Sequence, residues 1–171
     1  MIGTVCAAAL AMVTALAGDA PAKAPAGSPE FEKLKSLVGS WQGKVDMGNG
    51  LVDMTAVYRL LAGGTVLEER VFAGTPNEMI TMFYDKEGKL ALTHYCVMGN
   101  RPGMTLKTSD DKTFKFAFDE SCGINPAKES HMHSLTLRLD DADTMTATCK
   151  AIMDGKELPE KPTTMKRIAQ K

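Results

Sequence analysis

The chemistry in this sequence centres on its three histidines. His94 lies in the segment 90–96, and His131 and His133 begin the segment 131–139. Both segments have the pattern of β-strands, in which alternate residues face the same side of the sheet. Each histidine is therefore in phase with the leucines of its own segment. We expect all three imidazoles to face the interior of the fold.

Three inward imidazoles could hold a metal ion. Cα atoms two residues apart in a strand are separated by about 7 Å, so His131 and His133 could bind one metal together. His94 would complete a three-histidine set for a divalent cation such as zinc. Two other interpretations stay open: a polar lining for an organic ligand, and structural histidines satisfied by their neighbours.

A carboxylate could join this cluster. The consecutive acids Glu68 and Glu69 lie in the predicted strand 65–73 and face opposite sides, and the apolar pattern does not decide which one faces inward. An inward glutamate beside metal-bound water would act as a general base, which would make the protein a hydrolase or isomerase. A partner such as Arg59 or Arg70 would instead make it a structural ion pair.

Sequence motifs of other catalytic classes are absent. The chain has no Gly-x-Ser-x-Gly elbow, P-loop, dinucleotide-binding fingerprint or His-Glu-x-x-His motif. We therefore assign no catalytic residue. The sequence leaves an enzyme open but favours a binding protein without catalysis.

The elements that position these residues are a short helix followed by many strands. Ser28 is suited to cap the helix, Pro29 to its first turn and Gly39 to its end. After Gly39 the apolar period changes to two, with turn residues between segments. The ten predicted strands span residues 40–47, 51–61, 65–73, 78–86, 89–98, 103–109, 113–121, 131–140, 144–153 and 163–169.

So many consecutive strands would leave unpaired edges in an open sheet, and closure into a barrel removes those edges. The predicted fold is all-β, a closed antiparallel up-and-down barrel of about ten strands with a short N-terminal helix. A β-sandwich is the alternative. The 171 residues suit one domain of this kind.

Several motifs carry a family resemblance. The segment 39–43, Gly-Ser-Trp-Gln-Gly, follows the short helix and resembles the Gly-x-Trp motif of the calycin superfamily, which holds lipocalins, fatty-acid-binding proteins and nitrobindin-type haem barrels. The segments 74–79, 92–100 and 125–133 are similar to a lipocalin-like family of largely uncharacterised bacterial proteins of the domain-of-unknown-function type. The resemblance covers about residues 32–170.

The resemblance implies a calycin barrel more firmly than an activity. It implies that Glu69, rather than Glu68, faces the cavity and that Trp41 covers the closed end of the barrel. Nitrobindin-type barrels hold haem through a histidine late in the barrel, and no histidine follows His133. Haem is therefore a less favoured cofactor than a divalent metal.

The N-terminus resembles an export signal. Residues 5–16 form an apolar, alanine-rich run of the length of a signal-peptide core, and Ala15-Leu-Ala17 fits a cleavage site. We predict a signal peptide over 1–17, a flexible linker over 18–27, a barrel domain over 28–171, and a periplasmic or secreted location. The apolar run is too short to span a bilayer, so no stable membrane insertion is expected.

Export would place Cys96, Cys122 and Cys149 in an oxidising compartment. We predict a disulfide between Cys122 and Cys149, because their strand phases direct both toward the interior while Cys96 accompanies His94. The alternative is three buried free thiols that behave as small apolar side chains.

The net charge of the chain indicates which class of binding partner is expected. The net charge is −1, and the basic residues are dispersed among acids, which argues against nucleic-acid binding. The expected partner is a small molecule, and a structural envelope protein with no occupied cavity is a further alternative. The sequence does not determine the oligomeric state. The predicted ligand-binding residues are His94, His131, His133, Tyr58 and Glu69.

Overall fold

The computed structural model of the protein describes residues 26–48 and 50–169. The predicted signal peptide, 1–17, and nearly all of the predicted linker, 18–27, lie outside the described residues. Within the described ranges no helix has the length and apolar character needed to cross a membrane.

The N-terminal helix forms as its capping residues predict. Helix α1 spans Pro29–Leu34 and is followed by a 3-10 turn, Lys35–Leu37. The Ser28 hydroxyl oxygen accepts a hydrogen bond from the Phe31 backbone N–H, which satisfies one free donor of the first turn. The same hydroxyl donates to Asp85 at 2.7 Å and so attaches the start of the helix to the sheet.

Eleven strands follow the helix, and all neighbouring pairs are antiparallel. They are β1 Gly39–Asp46, β2 Leu51–Leu61, β3 Val66–Val71, β4 Met79–Lys86, β5 Lys89–Tyr95, β6 Gly103–Ser109, β7 Thr113–Phe118, β8 His131–Leu139, β9 Thr144–Met153, β10 Lys156–Glu157 and β11 Lys161–Ile168.

Ten of these strands close into a barrel. Strands β1 to β9 pair consecutively, and β9 returns to β1 through β11, so these ten strands form a closed ring. The predicted closed barrel is therefore confirmed, and the sandwich alternative is not. The strand that the sequence prediction missed is β10, two residues joined to β9 by a hairpin in which Asp154 and Gly155 both have positive φ.

The helix closes one end of the barrel. Lys33 forms an ion pair with Asp111 in the β6–β7 turn, and Trp41 is buried with its indole N–H donating to the Leu37 carbonyl at 2.8 Å. The Arg167 guanidinium stacks over the Trp41 ring, 4.2 Å from its centre. Trp41 therefore lies beneath the helix at the closed end.

The opposite end carries the longer connections, over residues 47–50, 72–78, 96–102, 119–130 and 154–160. We call it the open end. Large apolar side chains are exposed around it, namely Met47, Leu51, Val52, Tyr95, Val97, Met98, Met153 and Leu158. His94 lies near the end of β5 and His131 at the start of β8, so all three histidines belong to this half of the barrel.

The predicted disulfide is wrong. All three described cysteines are free, and Cys122 packs against Gly103 at the start of β6, whereas Cys149 lies within β9 opposite Leu135. Strands β7 and β9 are separated by β8, and strands two apart are about 10 Å apart, beyond the reach of a disulfide. Strand phase predicted the inward facing of Cys149, whereas Cys122 lies outside the strands, in the 3-10 turn Glu120–Cys122, and packs on the outer side of β6.

Candidate functional site

Four polar side chains form a row across the inner wall of the barrel. Tyr58 on β2 pairs in register with Glu69 on β3, Glu69 with Thr81 on β4, and Thr81 with His94 on β5. Five of the residues two positions away on the same strands are buried core side chains, namely Ala56, Leu67, Val71, Phe83 and Leu92. Because alternate residues share a face, the row faces the interior. We call these four residues the polar row.

Polar contacts run along the whole polar row. The Tyr58 hydroxyl donates to Glu69 Oε1, and the Thr81 hydroxyl lies close enough to the Glu69 carboxylate to lower its pKa. Thr81 Oγ1 lies 3.0 Å from Nδ1 of His94. The four side chains therefore act as one network.

Burial controls the protonation of this network. Desolvation raises the pKa of Glu69, against the opposing effect of its hydrogen bonds from Tyr58 and Thr81. Burial, reinforced by the Glu69 charge, raises the pKa of Tyr58 well above its ordinary value. Burial lowers the pKa of His94 to about 4, so its imidazole is neutral at physiological pH.

Inward-facing side chains beside the polar row keep part of their surface accessible. Cys149 on β9 is in phase with the buried Met145 and faces inward, yet its side chain is exposed. The pKa of its thiol is nevertheless raised to about 12 by desolvation and then by the negative charge of Glu69. An inward-facing side chain with accessible surface borders an open part of the barrel interior, which we call the recess. Cys149 therefore faces the polar row across this recess.

The rest of the recess wall is mainly apolar. Met79 on β4 and Ala147 and Ala151 on β9 are in phase with the interior and keep part of their surface accessible. Met153, at the end of β9, is 37% exposed at the open end. Apolar walls with a few fixed polar groups are typical of small-molecule sites.

The two consecutive acids, Glu68 and Glu69, face opposite sides of the barrel wall. Glu68 faces outward and is only 3% exposed, because Arg59 at 2.9 Å and Arg70 at 3.3 Å cover its carboxylate. Arg70 also holds Glu78 at 2.6 Å on the outside of the barrel. Glu68 is thus the structural ion pair that the sequence offered as one alternative, and Glu69 is the inward acid.

His131 and His133 form a separate cluster at the start of β8. His131 is fully buried, with Nδ1 2.6 Å from the Glu129 carbonyl and Nε2 3.1 Å from Nδ1 of His133. The Phe118 ring packs against both imidazoles, with ring centres 4.7 and 5.4 Å away. Desolvation, and next the charge of His131, lower the pKa of His133.

The alternation predicted for these two histidines does not hold through the start of β8. A bulge between Met132 and Ser134 shifts the register, so that His131 pairs with Ile152 while Leu135 pairs with Cys149. Ile152 and Cys149 are three residues apart in β9 and face opposite sides. His131 is therefore out of phase with Leu135, because the extra residue in a bulge inverts the pattern.

The structure does not bring the three histidines into one ligand set. Within residues 26–48 and 50–169, no group of three or more His, Cys, Asp or Glu side chains is arranged to hold a metal ion. His94 bonds to Thr81, whereas His131 bonds to His133 and a backbone carbonyl. The five predicted ligand-binding residues thus divide into the polar row, which holds Tyr58, Glu69 and His94, and the histidine pair.

Two residues of the recess were missed as ligand-binding candidates. Thr81 has only its phase with Phe83 as a signal, and threonine is common at such positions for its strand propensity alone. Cys149 was recognised as inward-facing but was assigned to a disulfide. Comparison of the sequence with protein-family models and with curated proteins finds no match. Function is therefore inferred from the interior of the barrel.

Proposed function

We propose that this protein is an exported, small-molecule-binding barrel of the calycin type. The observation that carries the proposal is the polar row facing an accessible recess at the open end. Tyr58, Glu69 and His94, three of the predicted ligand-binding residues, belong to this row with Thr81, and Cys149 lies opposite them. The ligand enters past the exposed apolar residues of the open end.

Energetics support a binding role for the polar row. Polar groups in an apolar interior cost free energy unless hydrogen bonds satisfy them, and a carboxylate costs most. An unused core would be filled by apolar side chains, as the closed end is by Trp41, Phe31 and Leu34. A carboxylate and an imidazole kept beside an accessible recess instead suit the recognition of a polar ligand.

The competing hypothesis is a hydrolase or isomerase that activates water on a His-bound divalent metal such as zinc. It requires the three imidazoles to converge, and His94 instead belongs to the polar row. Binding without catalysis is therefore the function that the geometry supports best. Metal content measured by emission spectrometry separates the two hypotheses, because the enzyme requires one metal ion per chain.

Binding in the recess is tested with two neighbouring residues that face opposite sides of β9. The neutral fluorophore N-phenyl-1-naphthylamine serves as the probe in titrations of the mature protein. Cys149→Phe fills the recess and should weaken probe binding by about tenfold or more, whereas Thr148→Phe, on the outer face, should leave it within about twofold. Equal effects of the two variants, or no probe binding by the wild type, would contradict the proposal.

Export is tested separately. The apolar run over 5–16 and the small residues at 15–17 support cleavage after Ala17. N-terminal sequencing of protein recovered from the producing cells should find Gly18 as the first residue. An intact Met1 on cytoplasmic protein would remove the export part of the proposal and leave ligand binding unaffected.

A further inference from the structure

The polar row contains a carboxylate without a cation. No Lys or Arg of the described residues lies within ion-pair distance of Glu69; its hydrogen-bond partner is the neutral hydroxyl of Tyr58, and the neutral Thr81 hydroxyl lies beside it. The adjacent residue, Glu68, has two arginine partners. A carboxylate in a protein interior is normally paired with a cation. Among the described residues Glu69 therefore lacks a positively charged partner, which a ligand could supply.

The direction of the hydrogen bonds determines what His94 can offer to a ligand. An ionised carboxylate only accepts, so when Glu69 is ionised the neighbouring Thr81 hydroxyl directs its proton toward the carboxylate, which lowers the pKa of Glu69. Thr81 Oγ1 must then accept the hydrogen bond from Nδ1–H of His94. In a neutral imidazole this leaves Nε2 without a proton, as an acceptor. Nε2 has no hydrogen-bond partner among the described residues, yet it is not a fully enclosed unsatisfied atom.

The recess therefore presents acceptors from several sides. Glu69 and His94 are separated by one strand, so their Cα atoms are about 10 Å apart and a group lying between their side chains can contact both. Cys149 adds a weak sulfur acceptor from the opposite wall. A group with one positive charge and several N–H donors satisfies all three.

We propose that the recess binds a small organic amine in its protonated form. The ammonium group is ion-paired with Glu69 and donates a hydrogen bond to Nε2 of His94, and the apolar body of the amine packs against Met79, Ala147 and Ala151. This inference rests on the proposed binding function and adds the chemical class of the ligand. A carboxylate ligand is disfavoured, because it would place a second negative charge beside Glu69.

Three probes with one aromatic skeleton test the proposal: 2-phenylethylammonium, 2-phenylethanol and phenylacetate. Each is titrated against the mature protein at pH 7.5 in competition with N-phenyl-1-naphthylamine. The ammonium should bind about tenfold or more tightly than the alcohol, and phenylacetate should bind most weakly. Glu69→Gln should abolish the preference for the ammonium and leave the affinity for the alcohol within about threefold.

The control variant is Glu78→Gln, which removes an acid near the open end but outside the recess. It should keep the full preference for the ammonium, and an equal loss in both variants would show attraction to the overall charge instead. If the ammonium and the alcohol bind equally to the wild type, the amine inference is overturned and the binding function stands. If the fluorophore does not bind and no probe binds directly in calorimetry, the proposed function fails with it.

A second measurement covers the case in which Glu69→Gln does not fold. In the wild type, the affinity for the ammonium should rise as the pH increases through the pKa of Glu69, while the affinity for the alcohol should not. The other titratable groups beside Glu69 are His94, with a pKa of about 4, Cys149, with a pKa of about 12, and Tyr58, with a pKa well above its ordinary value. Parallel pH profiles for the two probes would overturn the inference.

Discussion

Inside the barrel the Tyr58 hydroxyl donates a hydrogen bond to the Glu69 carboxylate, and these two residues are direct partners in the pairing of β2 with β3. The outer surface offers a neutral counterpart, in which the Tyr84 hydroxyl lies 2.9 Å from Thr93 Oγ1. The two tyrosines thus make the same kind of contact with a charged and with an uncharged partner. Removal of the hydroxyl should therefore cost more at Tyr58 than at Tyr84.

Tyr58→Phe should destabilise the protein by about 2–3 kcal/mol at pH 8, because a desolvated carboxylate loses a hydrogen-bond donor. The loss should become smaller as the pH falls through the pKa of Glu69, which burial raises, because protonation removes the charge that the hydroxyl stabilises. Tyr84→Phe should cost about 1 kcal/mol over the same pH range. Urea denaturation of the three proteins measures this, and a loss for Tyr58→Phe that does not change with pH would contradict it.

His94 should lower the free energy of unfolding of the protein at acidic pH. Its folded pKa of about 4 lies below the unfolded value of about 6.5, so the unfolded state binds more protons between these two pH values. The stabilising contribution is present above pH 6.5 and is lost as the pH falls to about 4. The full loss is roughly 3 kcal/mol.

A matched variant isolates this contribution. The glutamine of His94→Gln cannot titrate. The free energy of unfolding of the wild type should therefore fall relative to that of the variant as the pH decreases from about 7 to 4. His133→Gln serves as the control, because His133 is only partly buried and should show a weaker dependence. A difference between wild type and His94→Gln that stays constant over this range would refute the predicted pKa.

The thiol of Cys149 should react slowly although it is accessible. With a pKa of about 12, only about one thiol in ten thousand is ionised at pH 8, and the thiolate is the nucleophile. Timed alkylation with iodoacetamide followed by peptide mapping should find Cys149 about 100-fold slower than Cys122. Glu69→Gln should accelerate the reaction at Cys149, because it removes a charge that raises the thiol pKa.

The same peptide map, made without reduction, checks the state of the cysteines. It should contain no peptide that links Cys122 to Cys149, since the structure leaves both free and β8 lies between their strands. A linked peptide in the folded protein would show that the barrel closes in a different strand order.

His131 and His133 should be energetically coupled to each other and not to His94. His131→Ala should cost about 2–4 kcal/mol, because it opens a fully buried site and removes two hydrogen bonds. A double-mutant cycle with His133→Ala should give a coupling of about 0.5–3 kcal/mol, while cycles of either residue with His94→Ala should be additive within about 0.5 kcal/mol. Strong coupling of His94 to the pair would support the three-histidine site instead.

Local patterns in the sequence were sufficient to predict the fold. The Ser28 cap, the alternation of apolar residues and the turn residues each act over a few positions, and so they can be recognised without knowledge of distant partners. Closure followed from the number of strands, because an open sheet would leave edges unpaired. The inward facing of His94 was predictable in the same way.

The tertiary structure decided which polar groups meet. Glu68 and Glu69 are consecutive, and only the arginine partners outside and the hydroxyl partners inside distinguish them. The bulge before Ser134 is invisible in the sequence because it depends on the register with β9, and one extra residue inverts the phase of His131. Strand phase specifies the face of a sheet, but position around a barrel depends on strand order and register, and these arise only when the sheet closes.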